Sequence, residues 1–264
     1  MRPRIRWAAV VAVAVLVLAI VPTAIVFLSS FSSAHALSFP PTHISLSPYG
    51  SLLSNATTRT ALVHSVLVGL ISVVVAVPVG TLAAFGLRGR HFFGRGVVVV
   101  VILLGLASPL VVSGVAFLVI ETSVGLVGNL LVLGISIAIV NLPFVVFLVS
   151  SALEQMNPEL TEASHTLGAE EVQTFLFVTL PEITPAVVAS ALLLFIFGLT
   201  DFTVSVILTT PADSTLPVVV FGGLRSGLTP VLAAAGGLNV VLAVVITWVL
   251  SRTGVISRFF FQEG

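Results

Sequence analysis

Six long apolar runs separated by polar stretches set the pattern of this chain: Trp7 to Leu28, Leu62 to Leu87, Gly96 to Ile120, Leu126 to Val149, Ile183 to Leu208 and Pro230 to Leu250. A helix rises about 1.5 Å per residue and a bilayer's hydrocarbon core is about 30 Å thick, so each run is long enough to cross it. The runs predict helices, because lipid offers no partner to the backbone groups of an open sheet edge. Pro78, Pro109 and Pro143 lie inside three runs and predict kinks, with neighbouring helices satisfying the freed carbonyls. The pattern is broken on another scale by a polar island, Glu162 to Pro181, reading E-A-S-H-T-L-G-A-E-E-V-Q-T-F-L-F-V-T-L-P between the fourth and fifth runs.

The first run admits two readings. Arg2, Arg4 and Arg6 precede it, and Ala34-His35-Ala36 downstream resembles a signal-peptidase site, so a cleaved signal peptide is one. The other is a retained helix over 7–28, favoured because about 22 apolar residues exceed the roughly 7 to 15 of a usual signal core. The chain then reads as one transmembrane domain over 1–264: first helix 7–28, external segment 29–58, core region 62–250 with a loop at 150–182, and a tail at 251–264.

Arginine placement predicts the orientation, since basic residues in short loops stay cytoplasmic. With the N-terminus inside, Arg2, Arg4, Arg6, Arg88, Arg90, Arg95, Arg252 and Arg258 are cytoplasmic, and Arg59 and Arg225 are external. Both termini and the loop 150–182 then face the cytoplasm. The loop itself carries Glu154, Glu159, Glu162, Glu170, Glu171 and Glu182 and no arginine; acidic residues weigh little in this rule.

Composition agrees with the pattern and adds exclusions. The chain is 58% hydrophobic and 8% charged, with a mean hydropathy of +1.24, far from soluble averages. All ten basic residues are arginine, so a standard P-loop, which needs lysine, is absent and ATP-driven work needs another polypeptide. Lysine Schiff-base chemistry is excluded likewise. Without cysteine there are no disulfides, thiolate nucleophiles or Cys-ligated metals. The external segment holds room for a short amphipathic helix around Pro48 to Leu53 and an Asn55-Ala56-Thr57 acceptor pattern too short to carry weight.

The island has local structure of its own. Asn157-Pro158 predicts an N-cap and first-turn proline, Leu160, Ala163 and Leu167 fall on one stripe, and Gly168 is placed to close that helix in a left-handed cap. Glu170 and Glu171 open a second short helix, where the helix dipole favours negative charge, with Val172, Phe175 and Leu176 on its apolar side and Pro181 turning the chain into the fifth span. An elbow with exposed apolar residues is expected to dock a partner.

Glu162-Ala163-Ser164, three residues, Gly168, nine residues, then Val178-Thr179-Leu180-Pro181 resembles the E-A-A-x3-G-x9-I-x-L-P loop of the transmembrane subunits of ABC importers. The tract Phe195 to Pro217, with G-L-T-D-F-T-V-S-V-I-L-T-T-P and then T-L-P, resembles the fifth-helix region of permeases in the spermidine/putrescine subgroup. The resemblance covers most of the chain. It implies an all-α membrane protein of six transmembrane helices with the type I ABC importer permease fold, in a prokaryotic plasma (inner) membrane. It implies that Glu162, Ala163, Ser164, Gly168, Glu170, Glu171, Phe175, Leu180 and Pro181 couple to a cytoplasmic ABC ATPase dimer. Other implied partners are a second permease subunit, a sister chain by analogy, and an extracytoplasmic substrate-binding protein; no nucleic acid is expected. ATP and Mg belong to the ATPase, so this chain carries no cofactor. Ser164 departs from the pattern by a small-for-small change. Glu170, Glu171 and Leu176 stand where relatives often carry basic residues, which implies a dedicated ATPase with a less acidic or more basic groove rim.

Within the runs the ionisable residue that stands out is Asp201, a functional candidate because a carboxylate in a membrane is expensive. Counted from Thr184 it lies roughly 25 Å across, toward the outer side. Two readings stay open: it faces a substrate vestibule and attracts a cation, in keeping with a polyamine substrate, or it caps a helix or pairs with Arg225. Asn141 and Ser113 are weaker pathway residues and also fit as polar contacts between helices. His64 and His165 are isolated, which predicts no metal site, and Glu121 is expected in a solvated external turn. An ion-gradient-driven secondary transporter is the alternative, but the internal repeats and midplane charges of that class are missing. A membrane enzyme would need a cluster of titratable groups, and Asp201 stands alone.

Overall fold

The computed structural model describes residues 3–33, 39–41, 43–88, 93–225, 227 and 229–252. Arg2, Arg90, Arg258, Ala34-His35-Ala36 and most of the tail 251–264 lie outside the described residues. Among the described residues helices form the regular structure, beside one isolated antiparallel bridge between Ser32 and Ile44. In chain order they are α1 Pro3–Ser29, α2 Ser47–Ser54, α3 Ala56–Leu87, α4 Arg95–Ala107, α5 Leu110–Val124, α6 Leu130–Gln155, α7 Pro158–Thr166, α8 Glu171–Thr174, a π-helical turn Phe175–Thr179, α9 Leu180–Thr200, α10 Ser205–Leu208, α11 Leu216–Leu224 and α12 Pro230–Arg252.

Among the described residues four helical stretches are long and apolar enough to cross a membrane, Val10–Ser29, Ala56–Leu87, Leu130–Gln155 and Glu171–Thr200, and α4 with α5 makes a fifth if the bent pair is one span. The third run is therefore not a single kinked helix as expected. It turns by 105° between α4 and α5, at Ser108, whose backbone is extended, and Pro109. The proline ring crowds the preceding residue out of the helical region and has no N–H to offer Gly105, so the helix ends. Pro78 and Pro143, by contrast, stay inside unbroken helices. The fifth run is also corrected, because its helix stops at Thr200 and resumes as α10 only at Ser205.

The chain forms two compact units. One comprises residues 1–60 and 216–245, the other 61–215 and 246–264. In the first, the Phe31 ring meets Phe27 edge to face at 5.3 Å and lies tilted 5.4 Å from Tyr49, and the Tyr49 hydroxyl meets Ser30 Oγ at 2.7 Å. These contacts anchor α2, the short helix expected in the external segment, to the end of α1.

In the second unit α3 packs against α6 and α9 through small residues, since lipid supplies no hydrophobic drive and close backbone approach must do so. Ser72 Oγ donates to Val68 O at 2.8 Å and to Gly134 O at 3.0 Å. A Cβ at Gly198 would lie 2.8 Å from Gly69 Cα, and one at Gly134 2.6 Å from Ile71 Cγ2. Because the obstacle at Gly198 is backbone, it cannot step aside. Gly198→Ala is expected to destabilise by about 1–3 kcal/mol, whereas Gly86→Ala, with open space around it, leaves stability unchanged or raised. Thermal unfolding of the detergent-purified variants checks this.

Candidate functional site

The island folds as two joined pieces. Asn157 is the N-cap of α7, its Oδ1 accepting from Glu159 N at 3.0 Å, with Pro158 in the first turn. At the other end Gly168 adopts φ +87°. Its N–H donates to His165 O at 2.9 Å, and Ala169 N donates to Ser164 O at 3.0 Å. That pair of bonds is a Schellman cap, which needs a left-handed residue at this position.

Glu170 N then donates to Gln173 Oε1 at 3.0 Å, and the Glu170 carboxylate accepts in return from Gln173 N, forming a capping box that starts α8. The acidity at Glu170 thus has a local structural use. Ser164 is 7% exposed, its Oγ donating to Thr161 O at 2.7 Å and sharing a hydrogen bond of 2.9 Å with Thr174 Oγ1. It fastens the inner side of the elbow. Glu162, Ala163, Gly168, Glu170, Glu171 and Pro181 are exposed, while Phe175 and Leu180 are half-buried.

One expectation is overturned here. The second short helix does not end at Pro181 to turn into the span; it is the beginning of the span, continuous from Glu171 to Thr200. The π-turn makes this possible. Leu180 N reaches back to Phe175 O across five residues, and the widened turn takes in a proline that cannot donate an N–H. The Phe175 ring also lies 4.6 Å from Phe85 at the end of α3, and a cavity of about 300 Å³ beside it brings Arg88 together with Glu162, His165, Glu171 and Thr179. The apolar residues of the elbow project outward, with Leu167 88% and Phe177 76% exposed.

The second feature is where α9 ends. Asp201 is extended, and its Oδ2 accepts from Val204 N at 3.0 Å and Ser205 N at 2.8 Å, capping α10. α10 rests on α5, where a Cβ at Gly114 would meet Ile207 Cδ1 at 2.8 Å, and its last carbonyl, on Leu208, accepts from Gly128 N at 3.2 Å. A cavity of about 490 Å³ opens at Asp201, lined also by Ser108, Asn141, Phe144, Phe197 and Phe202. Asn141 lines this cavity, and its Nδ2 donates to Ile137 O of its own helix at 2.9 Å, a bond that does not bridge helices. Ser113 reaches the site only through Ser108, whose hydroxyl lies 3.1 Å away.

The aromatic lining was missed in the sequence. Asn141 and Phe144 are three apart on α6, a spacing that puts them on one helix face, and the Phe144 and Phe197 rings lie 5.4 Å apart. Glu121 is a further correction. It is 2% exposed, not solvated, and accepts from Ser136 Oγ at 3.1 Å. The bend at Pro109 accounts for it by laying the end of α5 beneath α6. His64 Nδ1 meets Ser214 O at 3.2 Å, and among the described residues no group of three or more His, Asp or Glu could hold a metal.

Residues 76–255 match the family described as "Binding-protein-dependent transport system inner membrane component". The spermidine/putrescine transport system permease protein PotC of Haemophilus influenzae is 30% identical over 204 residues, 77% of this chain and 79% of that protein. The putrescine transport system permease protein PotI of Escherichia coli is 30% identical over 189 residues, 69% and 67% of the two chains. The trehalose transport system permease protein SugB of Mycobacterium tuberculosis is 28% identical over 213 residues, 80% and 78%. Among solved structures, a bacterial ABC transporter that imports the acidic polysaccharide alginate superposes with a TM-score of 0.71 at 16% identity, over 98% of this chain and 96% of that one. The MetNI methionine ABC transporter gives 0.62 at 21% identity, over 78% and 95%.

Proposed function

Because the chain belongs to the binding-protein-dependent transport system inner membrane components, and is thus a multi-pass ABC importer permease subunit and not an enzyme, we propose that it imports a cationic, polyamine-like substrate and couples to a separate ATPase through Glu162 to Pro181. The loop faces the cytoplasm in this reading, as the arginine distribution requires. Two ABC ATPases receive the elbows of this chain and of a sister permease, and an extracytoplasmic binding protein delivers the ligand. ATP and Mg act on the ATPases alone.

The observation that carries the coupling is the continuous helix from the elbow into α9. Closure of the ATPase dimer displaces Glu171, and α9 transmits the displacement to Asp201 at its far end. Exposed Leu167 and Phe177 supply the apolar contact. The substrate reading rests on the cavity at Asp201. A polyamine combines ammonium groups with methylene stretches, and a carboxylate beside Phe144, Phe197 and Phe202 complements both, through charge and through cation–π attraction. Alternating access follows: the cavity fills from outside while the ATPases are closed and opens inward after hydrolysis.

The test is uptake in proteoliposomes containing this chain, a sister permease, the ATPase and the binding protein. Labelled putrescine is expected to enter only with ATP. Entry driven by an ion gradient without ATP would favour a secondary transporter, and ATP-driven entry of trehalose but not putrescine would overturn the polyamine assignment while keeping the importer.

A further inference from the structure

A cavity of about 280 Å³ separates the end of α3, α4 and α6, and its composition is lopsided. Its polar end is formed by Arg88, Arg95 and Glu154, and its walls by apolar side chains that include Val99, Leu103 and Phe147. α4 forms the outer wall and buries none of its own residues; Val97, Val100, Val101 and Leu104 all lie exposed along it. In a multi-pass membrane protein that surface is what hydrocarbon covers.

The two guanidinium groups have modest partners. Arg88 Nη1 points at Met156 Sδ at 3.6 Å, and Arg95 Nε donates to the neutral carbonyl of Leu87 at 3.4 Å. A thioether is a weak acceptor and a carbonyl carries no charge, so neither contact neutralises its arginine. Within this cavity Glu154 offsets one of the two arginines and leaves one positive charge, while Arg88 also borders Glu162 and Glu171 in the neighbouring cavity. Guanidinium forks match phosphate oxygens in geometry and charge, and a basic pocket between membrane helices at the level of the head groups suits an anionic lipid.

We propose that this cavity binds an anionic phospholipid, with its phosphate at Arg88 and Arg95 and one acyl chain along Val99, Leu103 and Phe147. A free phosphate would satisfy the arginines and leave the apolar walls wet, whereas a lipid covers both. Arg88 also lines the cavity behind the coupling elbow, so a bound lipid would brace the same end of α3 on which Phe175 rests. The leaflet assignment, cytoplasmic, rests on the orientation proposed above; the binding itself does not.

Native mass spectrometry of the purified full chain, loaded with phosphatidylglycerol or phosphatidylcholine, tests it. The wild type is expected to retain phosphatidylglycerol about tenfold better, the order anticipated for two arginines beside a phosphate. The double variant Arg88→Gln/Arg95→Gln loses the preference, and Arg88→Lys/Arg95→Lys keeps part of it. Val99→Trp, which fills the apolar part and leaves both arginines, also loses retention. Equal retention of the two lipids, a preference that survives the glutamine pair, or one untouched by Val99→Trp overturns the site. So does loss of the adduct once the sister permease is bound, which would mean that a protein surface covers this face. Because the readout is lipid mass, failure here leaves ATP-dependent uptake, and with it the permease function, standing.

Discussion

Gly168→Pro is expected to lower ATP-driven uptake by at least about tenfold while the spans stay folded. Gly168 sits at φ +87°, and proline is held near −65°, so the chain cannot keep its path through the elbow. Proline also lacks the N–H that Gly168 gives to His165 O at 2.9 Å. Loss of the cap lets α7 swing away from α8, and a misplacement worth about 1.4 kcal/mol of docking energy already amounts to a factor of ten. Nothing stands within 4 Å of a Cβ at this position, so Gly168→Ala isolates the backbone effect. An L-residue in the left-handed region costs roughly 1–2 kcal/mol, and Gly168→Ala should retain a measurable part of the uptake. The measurements are uptake, substrate-stimulated ATP hydrolysis and thermal unfolding on the same preparations. Normal uptake by Gly168→Pro would remove the elbow from the coupling route.

Asp201 separates charge from capping when two substitutions are compared. Asp201→Asn keeps an oxygen able to accept from Val204 N and Ser205 N, which now lie 3.0 and 2.8 Å from Oδ2, but removes the charge. Its thermal stability should match the wild type, and its uptake of putrescine should fall by about tenfold or more, as expected when one carboxylate–ammonium interaction worth about 1.5–3 kcal/mol is lost. Asp201→Ala removes the cap as well and should lose a further 0.5–2 kcal/mol or so of stability. A different pattern, with Asn behaving as wild type and Ala impaired in both stability and uptake, would make Asp201 a helix cap alone. Both readings were open from the sequence, and the structure shows that the capping bonds and the cavity lining belong to the same side chain.

Local signals were readable wherever the chemistry is local. Asn157-Pro158 opens α7 and Gly168 closes it because a cap is decided by residues within five positions of one another. The apolar runs located α1, α3, α6 and most of α9 because the length of a bilayer crossing is written in one dimension. Proline was only half legible. Pro78, Pro109 and Pro143 look alike in a sequence, yet only Pro109 ends its helix, while Pro143 stays inside α6 with its Cγ 3.0 Å from where a Gly105 Cβ would stand.

The sequence by itself determined that this is a helical membrane protein, that it lacks the means to bind ATP through a P-loop, and that one polar loop carries a helix–glycine–helix form. Those properties follow from composition, periodicity and short-range capping, which do not depend on what a residue meets across the fold. Tertiary structure alone decided that Glu121 is buried against Ser136, that Ser164 faces inward to Thr174, and that Phe144, Phe197 and Phe202 surround Asp201. Ser164 reaches Thr174 across the elbow closed at Gly168, and the other two depend on the angle at which one helix crosses another, set by small residues such as Gly69 and Gly198 and by the 105° bend at Pro109. A crossing angle is the outcome of many close contacts between distant segments, and no window along the chain contains it.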